Sequence, residues 1–224
     1  ELDNTIILFF ADNGAEALDG ETTGAQMLGR YLATADNSYD NRGGPTSYVT
    51  YGPNWAQAAT APSWLNKGYA TEGGTRAVAF ISWRGFERQG QIGSAFLSVA
   101  DVAPTFLDLA GLPYAAPTFA GRAVKPITGK SWLAYLGAKS DAVYAATEPF
   151  GTELFGSRAI RQGDWKITDI GDGTWRLFNV AEDPGETRDL SLTEPERLTA
   201  LIAAWQDYAT RVGVVLPDQV SYRP

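Results

Sequence analysis

Thr5-Ile6-Ile7-Leu8-Phe9-Phe10-Ala11-Asp12-Asn13-Gly14 opens as a continuous β-branched, apolar and aromatic run and closes on a turn. A run without polar alternation reads as a strand covered on both faces, hence a central strand of a parallel sheet. Asp12 and Asn13 fall just past its carboxyl end, where open α/β sheets collect their ligands. A carboxylate beside an amide carbonyl offers hard oxygens, which suit Ca²⁺ or Mg²⁺. Gly14 lets the chain turn sharply enough for both side chains to face one point. Asp-Asn-Gly is also a common plain turn, so on these residues alone both readings stand.

On the N-terminal side the chain begins at Glu1, and its only methionine is Met27. The expectation is a C-terminal piece of a longer protein. The 224 residues are 44% hydrophobic and 20% charged, as in a globular chain with a sizeable core. Eighteen basic against 26 acidic residues give a net charge of -8. That balance offers no basic stripe for nucleic acid and no attraction to an anionic membrane. No apolar run is long enough for a transmembrane helix. With no cysteine, disulfides and thiolate chemistry are excluded, and either a cytoplasmic or a periplasmic setting is allowed. With no histidine, the usual proton shuttle near neutral pH is absent.

On the C-terminal side, residues 15–60 show no clear period and read as one long loop. Ala77–Trp83 reads as a second strand. Asp101–Ala110 reads as a helix with Val102, Phe106 and Leu109 on its apolar face, Asp101 as cap and Gly111 as stop. Residues 121–130 read as loop and Ser131–Leu136 as a short helix. Beyond Gly137, residues 143–147, 157–161, 165–170 and 175–180 read as four strands of an antiparallel meander. Thr193-Glu194-Pro195-Glu196 is a capping box that opens a helix bearing Leu198, Leu201, Ile202, Trp205, Ala209 and Val212, with Gly213 as stop. The expected boundary lies near residues 136–142. It separates an α/β part (1–137) from a small α+β subdomain (138–224) with a four-stranded sheet and one helix.

Lys67 lies just before Glu72-Gly73-Gly74-Thr75-Arg76. An ammonium near a cation site could hold one oxygen of a tetrahedral anion and offset charge on a leaving oxygen. Glu72 and Arg76 read as a structural ion pair on a tight turn, since two glycines argue against a helix. Trp55 and Trp64 fit either core packing or the wall of a pocket for an aromatic substrate. The acidic residues of Asp183-Pro184-Gly185-Glu186 and the Asp172 hairpin read as turn residues.

Taken in order, Asn4–Glu16, Tyr51-Gly52-Pro53-Asn54-Trp55-Ala56-Gln57-Ala58, Asn66-Lys67-Gly68 with Glu72–Arg76, Asp101–Gly111, Ile160–Lys166 and Asp183–Thr187 resemble the C-terminal half of a type I sulfatase, close to the bacterial arylsulfatases. The resemblance runs over nearly the whole chain. It implies an alkaline-phosphatase-like fold, with a mixed sheet between helices ahead of the small subdomain. It implies hydrolysis of a sulfate ester, an aryl one by the closeness to arylsulfatases, by a hydrated formylglycine. It implies one Ca²⁺ site to which Asp12 and Asn13 contribute, and a sulfate-binding role for Lys67.

The family's nucleophile motif, Cys/Ser-x-Pro-x-Arg, is absent. Neither Thr60-Ala61-Pro62-Ser63 nor Ala116-Pro117-Thr118 supplies the arginine, so no catalytic nucleophile is expected in this chain. The remaining metal ligands and the nucleophile would come from an N-terminal half. The chain alone is expected to be inactive, with open edges and an exposed apolar face on its first strand. Two rival functions remain. One is a phosphonate or phosphate ester hydrolase of the same superfamily. The other is a non-catalytic remnant that acts as a binding module.

Overall fold

The computed structural model describes residues 1–18, 29–50, 52–114 and 116–218; Tyr51 of the segment quoted above lies outside them. The helices used below are α1 (Gly52–Thr60), α2 (Glu72–Thr75), α3 (Val102–Leu109), α4 (Leu133–Leu136) and α5 (Pro195–Val212). The strands are β1 (Ile7–Phe10), β2 (Ala79–Ser82), β3 (Thr118–Phe119), β4 (Arg122–Ala123), β5 (Pro149–Leu154), β6 (Ser157–Gln162), β7 (Trp165–Asp169) and β8 (Arg176–Asn179). The chain forms two compact units, one from Glu1–Phe9 and Ala79–Glu148, the other from Phe10–Val78 and Pro149–Pro224.

In the first unit, β1 and β2 form where the apolar runs place them, as a two-stranded sheet. The apolar run alone read as a strand covered on both faces; Ile7, Phe9 and Phe10 are instead exposed, as expected of the chain on its own, and the Phe9 and Phe80 rings stack at 5.3 Å. Hydrophobic content favours an extended chain, but burial depends on what packs against it. Behind this sheet Phe86, Trp132, Tyr135 and Leu136 form a core, joined by Leu8, Ile81, Trp83, Val102 and Leu109.

Asp101 is fully buried, but it does not cap α3 with its side chain. It closes a capping box on Ser98 instead, accepting from the Ser98 N–H at 2.8 Å. The same carboxylate accepts from the Lys130 N–H, the Trp132 indole N–H and the Tyr144 hydroxyl. Four donors answer the cost of placing a carboxylate in the core. Burial first, and then Asp101, push the Tyr144 hydroxyl well above the usual phenol range. Phe106, expected on the buried face of α3, is exposed; Pro104 and Thr105 are buried there instead. Gly111 ends the helix at φ +66. The expected loop at 121–130 begins inside a small antiparallel hairpin of β3 and β4.

The second unit contains the antiparallel sheet β5-β6-β7-β8. Its first strand is Pro149–Leu154, which corrects the expected strand at 143–147. Pro149 occupies the first position of an edge strand, where a missing N–H is tolerated. Gly151 is required because a Cβ there would lie 2.3 Å from the Tyr208 ring. Helix α5 lies across the sheet, and Leu201 and Trp205 complete a core with Ile160, Ile167 and Leu177. Leu198, Ile202 and Ala209 pack at its edge, while Val212 is exposed. The expected capping box is not formed: the cap residue is Glu194, with no side-chain cap bond, and the Thr193 hydroxyl donates to Leu190 O. Pro195 opens the helix, and Gly213 closes it at φ +73.

The expected loop of residues 15–60 is corrected by the nine residues of α1, with Ala56 fully buried, and by shorter helical turns at 29–32 and Tyr39–Asn41. Among the described residues no helix is long and apolar enough to cross a membrane.

Candidate functional site

The segment after β1 is held by backbone bonds. Ala11 N–H donates to Val78 O at 3.0 Å, and Gly14 N–H donates to Gly74 O at 3.0 Å. At Gly14 there is no space for a side chain, since a Cβ would lie 1.7 Å from Gly73 O. The turn therefore requires glycine because two backbones touch, a more specific reason than flexibility. Asp12 is exposed, and no hydrogen bond or ion pair engages its carboxylate among the described residues. Asn13 is half-buried; its Nδ2 donates to Gly14 O at 3.0 Å, which leaves the Oδ1 lone pairs for another partner.

Lys67 is brought to this turn. Its N–H donates to Ala15 O at 3.0 Å, and its ammonium lies 2.7 Å from a Glu16 carboxylate oxygen. The same Glu16 carboxylate accepts from Leu18 N–H at 3.0 Å. Lys67 remains 40% exposed, open enough to meet a ligand. Gly68, at φ +96, turns the chain away behind it. Beside it Asn66 Oδ1 and, further on, Thr71 Oγ1 are buried without a hydrogen-bond partner among the described residues. The structure thus gathers Asp12, Asn13 and Lys67 on one connected framework.

Glu72–Arg76 departs from expectation. Residues 72–75 form a helical turn despite two glycines. A Cβ at Gly73 would lie 2.1 Å from Leu65 O, and one at Gly74 would lie 2.0 Å from Tyr69 O. Close packing of the turn against residues 64–69 excludes any larger residue. The expected Glu72–Arg76 ion pair is loose, at 3.9 Å with Arg76 62% exposed. The main partner of Glu72 is Lys166 on β7, which sequence reasoning missed. Lys166 Nζ lies 2.9 Å from Glu72 Oε1 and 3.1 Å from Glu186 Oε1. Glu186 Oε2 in turn accepts from Glu72 N–H at 2.8 Å. All three side chains are buried.

The two carboxylates titrate in opposite directions. Burial would push the Glu72 carboxyl up, but Lys166, aided by Arg161 and Arg76, holds it below its usual range. At Glu186 burial prevails over the attraction of Lys166, and the carboxyl is raised. Glu186 had read as a turn residue; it does occupy a turn, at φ +50, but its side chain points into the interior. Only a pattern linking residues far apart in sequence could have revealed this cluster.

Trp64 packs edge-on to Phe178 and lies under Arg176, so its role is packing. Trp55, on α1, is 69% exposed. Among the described residues no group of three or more His, Cys, Asp or Glu side chains gathers to hold a metal ion.

The protein-family model described as Sulfatase matches residues 1–112. An uncharacterized sulfatase of Schizosaccharomyces pombe is 40% identical over 223 residues, covering 97% of this chain. An arylsulfatase of Klebsiella aerogenes is 36% identical over 137 residues, covering 61% of this chain. The matched lengths are 40% and 29% of those two relatives, so the chain spans well under half of either. Among solved structures, Ps i-CgsB in complex with k-i-k-neocarrahexaose superposes with a TM-score of 0.63 at 22% identity, over 93% of this chain and 37% of that one. A structure solved with its substrate D-glucosamine-2-N,6-O-disulfate gives a TM-score of 0.60 at 18% identity, over 94% of this chain and 35% of that one. These two similarities speak to the fold. With the matched family model, and with the turn and lysine described above in the expected order, the chain belongs to the sulfatase family and corresponds to its C-terminal portion.

Proposed function

We propose that this chain is the C-terminal part of a sulfate-ester hydrolase with an alkaline-phosphatase-like α/β arrangement. In this reading Asp12 and Asn13 contribute oxygen ligands to one Ca²⁺, and Lys67 binds a sulfate oxygen. The observation that carries it is the joining of the Asp12–Glu16 turn to Lys67 through Lys67 N–H to Ala15 O and Lys67 to Glu16.

The donors fit a hard cation in kind: one ionised carboxylate and one amide oxygen stand side by side. They do not complete a site, which needs about six oxygens. Under this proposal the other ligands and the formylglycine nucleophile lie in an N-terminal part of the same enzyme. Calcium, when bound, supplies a positive centre for sulfate oxygens. Lys67 holds a further oxygen and offsets charge that develops on the leaving oxygen. Glu16 aims the Lys67 ammonium and competes with sulfate for it.

An aryl sulfate is the proposed substrate. A sulfated sugar is the second substrate class, favoured by the sugar ligands of the two solved structures. Side-by-side turnover of an aryl sulfate, a sulfated monosaccharide and the matching phosphate esters by the full-length enzyme separates these classes. Phosphate ester turnover that exceeds sulfate turnover would overturn the sulfatase assignment. With sulfate esters, Lys67→Ala lowers kcat/KM by about 10²–10³-fold. Asp12→Ala weakens calcium binding in calorimetry, and unchanged affinity would remove it from the site. The 224-residue chain by itself turns over no sulfate ester.

A further inference from the structure

We propose that Lys166, with Glu186, is a positioning residue that sets Lys67 and the Asp12–Asn13 turn from the antiparallel sheet. The proposal rests on the sulfate-ester reading above. Lys166 is 3% exposed on β7 and lies between Glu72 Oε1 at 2.9 Å and Glu186 Oε1 at 3.1 Å. Glu186 Oε2 accepts from Glu72 N–H, so the first residue of α2 is fixed by both its side chain and its backbone.

From α2 the connection to the site is backbone against backbone. Gly74 O accepts from Gly14 N–H, next to Asn13, and Gly73 N–H donates to Trp64 O. There is no clearance at Gly73 or Gly74, because an added Cβ would fall 2.1 Å from Leu65 O or 2.0 Å from Tyr69 O. A shift of α2 is therefore passed to residues 64–69, which include Lys67, and to Gly14.

Stability alone explains the cluster poorly. Desolvating an ammonium and two carboxylates costs several kcal/mol per ion, and buried ion pairs are commonly no more stable than well-packed apolar replacements. What such a cluster does supply is direction: each oxygen is assigned to one donor on one segment. Here the segments are α2, β7 and the 183–187 turn, and the first is hydrogen-bonded to Gly14 and Trp64, on the segments that carry the site.

The experiment uses the full-length enzyme and the charge-neutral variant E72Q/K166M/E186Q, with D12A and K67A alongside. Folding is read from the thermal melt, calcium affinity from calorimetry with the metal alone, and kcat and KM from an aryl sulfate. The expected result is a cooperative melt with weakened calcium affinity and a fall of about 10²-fold in kcat/KM, the size of effect that a small misplacement produces. Wild-type calcium affinity and kcat/KM in that folded variant would overturn the proposal. Should the triple variant melt below the assay temperature, E186Q is tested by the same two readouts, because it keeps an acceptor for the Glu72 N–H. If D12A and K67A stay fully active, the sulfate-ester reading itself fails. If they are impaired while the Lys166 cluster variants are not, this inference alone fails.

Discussion

Gly14, Gly73 and Gly74 each meet a backbone oxygen where a side chain would begin. Relief at such contacts requires moving main chain, so Gly73→Ala destabilises by about 1–3 kcal/mol, measured as a lower urea midpoint with unchanged m-value. The ionised side chains around them carry a signed pH dependence. Glu72 is depressed below its ordinary carboxyl value, so its contribution is present above that value and is lost as pH falls through the folded one. Glu186 is raised, so its contribution is full below the ordinary value and is lost as pH rises through the folded one. Glu72→Gln therefore flattens the acid side of the stability profile. Glu186→Gln flattens the opposing slope above it, and denaturant midpoints across the acid-to-neutral range check both. The turn after β1 was legible because Asp-Asn-Gly is a short local pattern, and Lys67 is joined to it through Ala15 O and Glu16. Lys166 and Glu186 were not legible, because a lysine in a strand and a glutamate in a turn look solvated until Glu72 is brought to them.

At the scale of elements, α5 is the clearest case of pattern becoming structure. Its apolar spacing placed Leu201 and Trp205 in the core, where both are almost fully buried. Trp205→Ala is expected to cost about 3–5 kcal/mol, read from chemical denaturation, with the sheet residues Ile160, Ile167 and Leu177 losing their cover. The start of α5 was misread because Thr193-x-x-Glu196 has the spacing of a capping box, while the chain enters the helix one residue later. Strand β5 was missed because Pro149 and Gly151 both argue against a strand taken alone. Each is compatible with an edge, and Gly151 leaves room for the Tyr208 ring. Strand β1 was found by its run of apolar residues; the run alone reads as buried on both faces, and the exposed face was expected only through the family resemblance, because what covers a face is set outside the run.

The molecule as a whole carries a net charge of -8 and also displays Ile7, Phe9, Val78 and Phe80 to solvent. Like charge keeps copies apart, whereas an exposed aromatic face draws them together. The 224-residue chain is expected to bind an apolar dye and to self-associate more readily as salt screens its charge. Phe9→Ser with Phe80→Ser reduces both effects, because the two stacked rings form the centre of that face. Light scattering against ionic strength distinguishes this from global unfolding, which would give dye binding without dependence on these two rings.

The hydrogen bond from Gly14 N–H to Gly74 O also bears on how the protein ages. In an Asn-Gly pair the following backbone nitrogen attacks the amide carbon, ammonia leaves, and the ring that results opens to aspartate or isoaspartate. Here that nitrogen is already committed to Gly74 O, and Asn13 Nδ2 is committed to Gly14 O. The folded chain should keep Asn13 intact far longer than the same chain held in denaturant, as peptide mapping after parallel incubations would show. Isoaspartate at this position would add a carbon to the main chain within a turn that has no space for a single methyl group. The damage would then be inherited by every later refolding of that molecule.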